Sequence, residues 1–413
     1  MAKSALPALA GTLALALSVA ATSAVCAEPP PSPSFSQSVM PTFRAAQAAE
    51  KAKRWAEVIA KAQEVLANSK RTPDDTYYAY YLLFEANREL GNKDEQLNSL
   101  KGLVNSGFLN DAQAAPYTNA VMGLAFQAKD YDTAIEYGTR LTRSGHADPQ
   151  VFTTIGQSYY QKGDFSESAR FFRSLIDEQV KRGQKPLEQN LIMLHSSYEK
   201  LHNRDGATHA LELLVVYYPK KQYWDALLYS VRSDPDLQPR EKLQVYRLMM
   251  ATGTLDLGQD YSRFADLALK FGLPAESQKV YEAGLKANAF TQETEQKNAE
   301  RRMESAGKVA DADRADIRKL EAAAAAASNG EDAVVLGMAY YSYGQYDKAV
   351  DALQSALAKG GLKEDLQIEV SLVLGISQLR NKDNAAAQKT FHDIKTDNPR
   401  MQRIAHLWEL FAT

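Results

Sequence analysis

From Phe152 to Tyr159 the apolar and small side chains fall three and four residues apart, and the same spacing returns from Glu167 to Ile176. That period lays side chains along one face of a helix, so two consecutive amphipathic helices are predicted. Between them, Lys162-Gly163-Asp164 combines a glycine able to take positive φ at a helix end with an aspartate able to cap the next helix. The stretch therefore reads as one helix hairpin. Similar hairpins are predicted over Phe43–Leu66, turning at Lys53-Arg54-Trp55, over Thr76–Leu103, broken at Leu90–Asp94, and over Ala333–Ala358.

A small residue marks the closest approach within each hairpin, and its spacing carries the register along the chain. Ala134 and Ser168 are 34 positions apart, and Ala207 follows after 39, the extra residues lying in the basic insert Lys181–Pro186. Ser277, Asp316, Ala349 and Ala387 continue the series. Tyr131 and Phe165 repeat at the start of the second helix, Leu141 and Leu175 near its end. Two stretches break the pattern: Tyr223–Met250 is degenerate, and Glu295–Val309 is almost wholly polar, with Asp316 in the small slot after it.

A hairpin recurring at about 34 residues, with several slots agreeing at once, resembles the tetratricopeptide (TPR) repeat. The resemblance implies an all-α fold: a helix-hairpin solenoid, coiled as a right-handed superhelix, over 42–413. It would hold about nine or ten repeats, irregular near 220–255 and 288–330. A narrower similarity rests on Tyr218-Pro219-Lys220-Lys221-Gln222-Tyr223-Trp224, Phe271-Gly272-Leu273-Pro274, Val280–Leu285, Lys359–Lys363 and Ala405–Trp408. These strings resemble exported TPR proteins of Gram-negative bacteria encoded alongside TonB, ExbB and ExbD. That likeness implies help to energy-coupled uptake across the outer membrane.

The N-terminus adds a compartment. Lys3, the apolar run Leu6–Val19 and the small-residue site Val25-Cys26-Ala27 have the form of an export signal, so residues 1–27 are expected to be removed after Ala27. A periplasmic location follows. Anchoring through a lipid on Cys26 is the alternative, opposed by Val25 beside the cysteine and by the missing leucine before it. Residues 28–41, EPPPSPSFSQSVMP, read as a Pro/Ser-rich disordered spacer.

Composition narrows the chemistry further. Cys26 is the sole cysteine, so cleavage would leave no thiol for a disulfide, a nucleophile or a metal. A net charge of −3 gives no basis for nucleic-acid binding, and after signal cleavage no integral membrane span is expected. No glycine-rich phosphate loop, nucleophile elbow or HExxH is present, and the chain reads as a non-enzyme with no cofactor and no metal. His195, His202 and His209 fall on a first helix, a turn and a second helix, and so cannot share one face.

In the TPR register the first helix of each hairpin lines a concave groove. The positions expected there are Tyr78, Tyr81, Arg88, Tyr117 and Gln127 toward the N-terminus, Thr153, Gln157 and Tyr160 in the middle, and Met338 and Tyr341 near the end. Tyrosine suits such a face, since it offers a large apolar area and a hydroxyl at small entropic cost. The Lys/Asn clamp with which some TPR domains grip a C-terminal carboxylate is absent, its slots reading Thr153/Gln157, Ile192/Ser196, Val334/Met338 and Leu372/Ile376. The expected partner is therefore a cell-envelope protein bound through an internal segment or folded surface, with TonB-system components foremost. A holdase-like envelope assembly chaperone is the alternative, and the apolar terminal helix, with Ile404, Leu407, Trp408 and Phe411, could cap the array or mediate homo-oligomerisation.

Overall fold

A computed structural model describes residues 32–413; the expected signal, Cys26 and the first residues of the spacer lie outside the described residues. The protein is all-α. Among the described residues there are 21 helices and no strand; α1/α2, α3/α4, α5/α6, α9/α10, α13/α14, α17/α18 and α19/α20 pair as helix hairpins, and α21 follows them. Glycines close several first helices in the left-handed region, among them Gly163 at φ +89° and Gly344 at φ +79°. Gly163 ends the helix Pro149–Lys162, where the sequence calls for a glycine able to take positive φ.

The chain divides into two compact units, Met1–Glu167 and Ser168–Thr413, the boundary falling inside α8 (Phe165–Lys181). In the first unit the helices that matter are α1 (Met40–Lys51), α3 (Pro73–Leu90), α5 (Asp111–Gln127) and α7 (Pro149–Lys162). Its core includes Phe43, Val58, Leu82 and Ala86. The expected spacer differs from a free linker. The backbone N–H of Ser36 donates to Asp75, 3.1 Å away, and the Phe35 ring lies 4.7 Å from Phe43 and 5.0 Å from Tyr78. One aromatic in a Pro/Ser-rich stretch gives it enough apolar area to dock.

The second unit stacks α9/α10 to α19/α20 around a core that includes Phe172, Leu228, Phe264, Leu353 and Trp408. Its chain does not simply run on to an open end. The terminal helix α21 (Pro399–Phe411) returns to α10 (Arg204–Tyr217), α11 (Lys221–Arg232) and α12 (Pro239–Thr252). There Arg403 Nη1 donates to Glu212 at 2.9 Å, Arg400 Nε to Glu241 at 3.1 Å, and Phe411 meets the Trp224 ring edge-on at 5.8 Å. The polar helix α15 (Glu293–Ala315) packs on α14 (Pro274–Lys286), burying Ala299, Ala306, Gly307 and Ala310. Across from it, α14 bonds directly to α17 (Glu331–Tyr343), the Glu276 N–H donating to Ser342 Oγ at 2.9 Å.

Candidate partner-binding face

Helix α3 has a fixed start. Thr72 accepts from the Asp75 N–H while Asp75 accepts from the Thr72 N–H, a reciprocal cap that sets the rotation of the residues following it. Tyr78 and Tyr81, one turn apart, then share a side, their rings stacked at 6.0 Å and 17°. The neighbouring Tyr77 turns inward, and its hydroxyl lies 3.5 Å from that of Tyr117 on α5. Tyr78 and Tyr81 thus share one side of α3, Tyr78 lying against Phe43 of α1 at 5.2 Å, and Tyr117 reaches α3 through Tyr77; all three are half-buried.

Charged groups border the rings. Arg88 is exposed and pairs with Glu85 at 2.6 Å and Glu89 at 3.2 Å. Burial pushes the Glu85 carboxyl above its ordinary value; Arg88 opposes this, and Glu89 and Glu50 add to it. Burial likewise raises the Tyr81 hydroxyl, with Glu85 and Glu50 contributing, so it stays protonated and can donate. From α1, Gln47 donates to the Tyr78 hydroxyl at 3.1 Å. The result is a face of ring surfaces, hydroxyls and carboxylates held by three helices, suited to docking a polypeptide.

The remaining expected positions scatter. Gln127 is exposed at the last position of α5, and Tyr160 on α7 is half-buried, edge-on to Phe165 at 5.1 Å. Thr153 and Gln157 are buried. In the second unit Met338 packs against the core, and Tyr341 is buried with its hydroxyl 3.3 Å from Glu276. Those two slots belong to an interior. The reason lies in α14, which packs on α17, and in α21, which packs on α19 (Glu364–Arg380), filling the space that an open groove would leave there.

Sequence reasoning overlooked Phe35, Gln47 and Glu50, which complete the face. Phe35 carried a signal, being the one aromatic of its segment; Gln47 and Glu50 carried none. His195 lies on α9 (Glu188–Lys200), His202 in the following turn at φ +55°, and His209 on α10. Among the described residues no group of three or more His, Cys, Asp or Glu is placed to hold a metal, and no helix is long and apolar enough to cross a membrane.

No protein-family model matches this sequence, and no curated protein matches it. Solved structures do match in part. The TPR2AB domain of yeast Sti1 in a pHSP90 complex is similar at 14% identity, over 72% of this chain and 98% of that one, with a TM-score of 0.25. A tetratricopeptide repeat protein of Parabacteroides merdae is similar at 11% identity, over 81% and 98%, with a TM-score of 0.27. The C-terminal part of a TPR repeat-containing protein of Cytophaga hutchinsonii is similar at 14% identity, over 63% and 93%, with a TM-score of 0.31. Scores this low carry no argument about sites or partners. The repeat architecture rests on the hairpins of this chain itself.

Proposed function

We propose that this chain is a periplasmic, non-enzymatic scaffold whose N-terminal aromatic face binds a protein of the cell envelope, in the service of a TonB-type energy-transducing complex. The observation that carries the binding half is the placement of Tyr78 and Tyr81 on one side of α3, with Tyr117 reaching it through Tyr77, half-buried and bordered by Glu85 and Arg88, on helices that a rigid core holds in place. Rigid aromatic side chains with polar handles are what concentrates binding energy in protein interfaces. The export pattern of residues 1–27 and the strings resembling TonB-linked TPR proteins support the compartment and the partner class.

Affinity capture from periplasmic and envelope extracts tests this reading. The wild-type chain is expected to recover TonB-system components, and a Tyr81→Ala/Tyr117→Ala variant to lose them while keeping its helical content. A broad set of unfolded outer-membrane proteins, recovered equally by both, would contradict it and favour the holdase reading.

A further inference from the structure

A cavity of about 190 Å³ opens in the C-terminal unit, where residues of seven helices meet. One wall is apolar: Met250, Phe264, Val280, Ile376 and the Trp408 ring. Across from it the polar residues are mostly cationic. Of the lining side chains only Glu276 is a carboxylate, and it is engaged twice by Arg247, at 2.8 Å and 2.6 Å. Arg380 and Lys279 line the same cavity and are exposed. Among the described residues neither has a carboxylate within ion-pair distance. The Lys279 ammonium donates one hydrogen to the Ser342 carbonyl at 3.0 Å, leaving two; although the residue as a whole is exposed, partial burial of this end holds its pKa below the ordinary lysine value, with Arg314 and Arg380 acting the same way and Glu276 and Glu282 opposing.

The apolar wall holds a buried polar atom of its own. Trp408 is 1% exposed, and its indole Nε1–H has no acceptor among the described residues. A buried donor without a partner is costly and calls for an explanation. Two cations without an ion-pair partner among the described residues and an apolar wall together define the complement of one kind of molecule.

We propose that this cavity binds a small organic carboxylate, its anionic head between Lys279 and Arg380 and its apolar body against Phe264, Ile376 and Trp408. Charge-assisted hydrogen bonds from lysine and arginine fix the head. The size of the space favours a compound of a few carbons with a branched or aromatic end. This site is separate from the N-terminal face, and the two stand or fall independently.

Isothermal titration of the purified full chain with butyrate, 4-methylpentanoate and 3-phenylpropanoate tests it, with 3-phenylpropanamide, inorganic phosphate and an acidic peptide of blocked termini as comparisons. At least one of the apolar acids is expected to bind one per chain, and the neutral amide at least tenfold more weakly. Arg380→Gln, an exposed position that leaves the fold intact, is expected to weaken the acid at least tenfold, and Arg88→Gln to leave it unchanged. The proposal is overturned if no acid of the series binds, if amide and acid bind alike, if phosphate or the acidic peptide alone binds, or if Arg380→Gln has no effect.

Discussion

Arg247 is 3% exposed, a placement a guanidinium tolerates only when its donors and its charge are both met. Here they are: Nε and Nη2 go to the two oxygens of Glu276, Nη1 goes to Gln244 at 3.1 Å, and the Tyr341 ring lies 4.7 Å from the guanidinium carbon. Burial works against its charge, and Glu276 more than restores it. Removing one partner strands the other. Glu276→Gln is expected to destabilise the protein by about 3–5 kcal/mol in urea unfolding, and a Glu276→Leu/Arg247→Met double variant by far less. A single-variant loss below about 1 kcal/mol would mean that the pair is solvated after all. This explains why Tyr341, expected on an open groove, is interior: its ring and hydroxyl complete a buried ionic pair. Nothing in the spacing of α17 foretold that, since Arg247 and Tyr341 lie far apart in sequence. The small slots were legible by contrast, because they follow from local period. Ala134, Ser168, Ala207, Ser277, Ala349 and Ala387 are all buried. Asp316 is exposed, because α15 ends just before it and α16 (Ile317–Ala326) begins just after, so it sits at a junction and not in a hairpin contact.

At the scale of elements, α21 is the clearest departure from a plain array. An amphipathic terminal helix was legible; its target was not, because Arg403 reaches back 191 residues to Glu212 and Arg400 reaches 159 to Glu241. Glu212 is the hub, with Arg403 at 2.9 Å, His406 Nε2 at 3.3 Å and His209 Nδ1 at 4.0 Å. Burial raises the Glu212 carboxyl, but the His406 hydrogen bond and the charges of Arg403, His406 and His209 outweigh it and leave it lowered. His406 is raised above 6.5, first by its bond to Glu212 and against burial; Arg403 opposes and Glu409 assists. A raised histidine stabilises the folded state fully below its unfolded pKa and loses that contribution as pH rises through the folded value. Glu212, being lowered, contributes above its unfolded value of 4.5 and loses that as pH falls through the folded one. Docking of α21 should therefore be strongest in mildly acidic solution. Comparing the thermal midpoints of wild type and His406→Gln from about pH 5 to about pH 8, the gap is expected to be widest at the acid end and to close toward the alkaline end. A gap independent of pH would remove His406 from the account.

For the whole molecule, the two units differ in what they offer. The first presents half-buried tyrosines on first helices; in the second, the matching slots face an interior closed by α21 and by the direct α14–α17 contact. The aromatic face of the first unit is the place proposed for a partner protein, and the cavity lined by Lys279 and Arg380 in the second is the place proposed for a small acid. The measurement that decides the central claim is site-specific photo-cross-linking in living cells, with the photoreactive side chain placed at Tyr81 or Tyr117 and, as control, at Val335, an exposed position of the second unit. Cross-links from Tyr81 and Tyr117 to a component of a TonB-type complex, with none from Val335, are the predicted result. Cross-links arising from Val335 alone, or no periplasmic partner from either tyrosine, would contradict it.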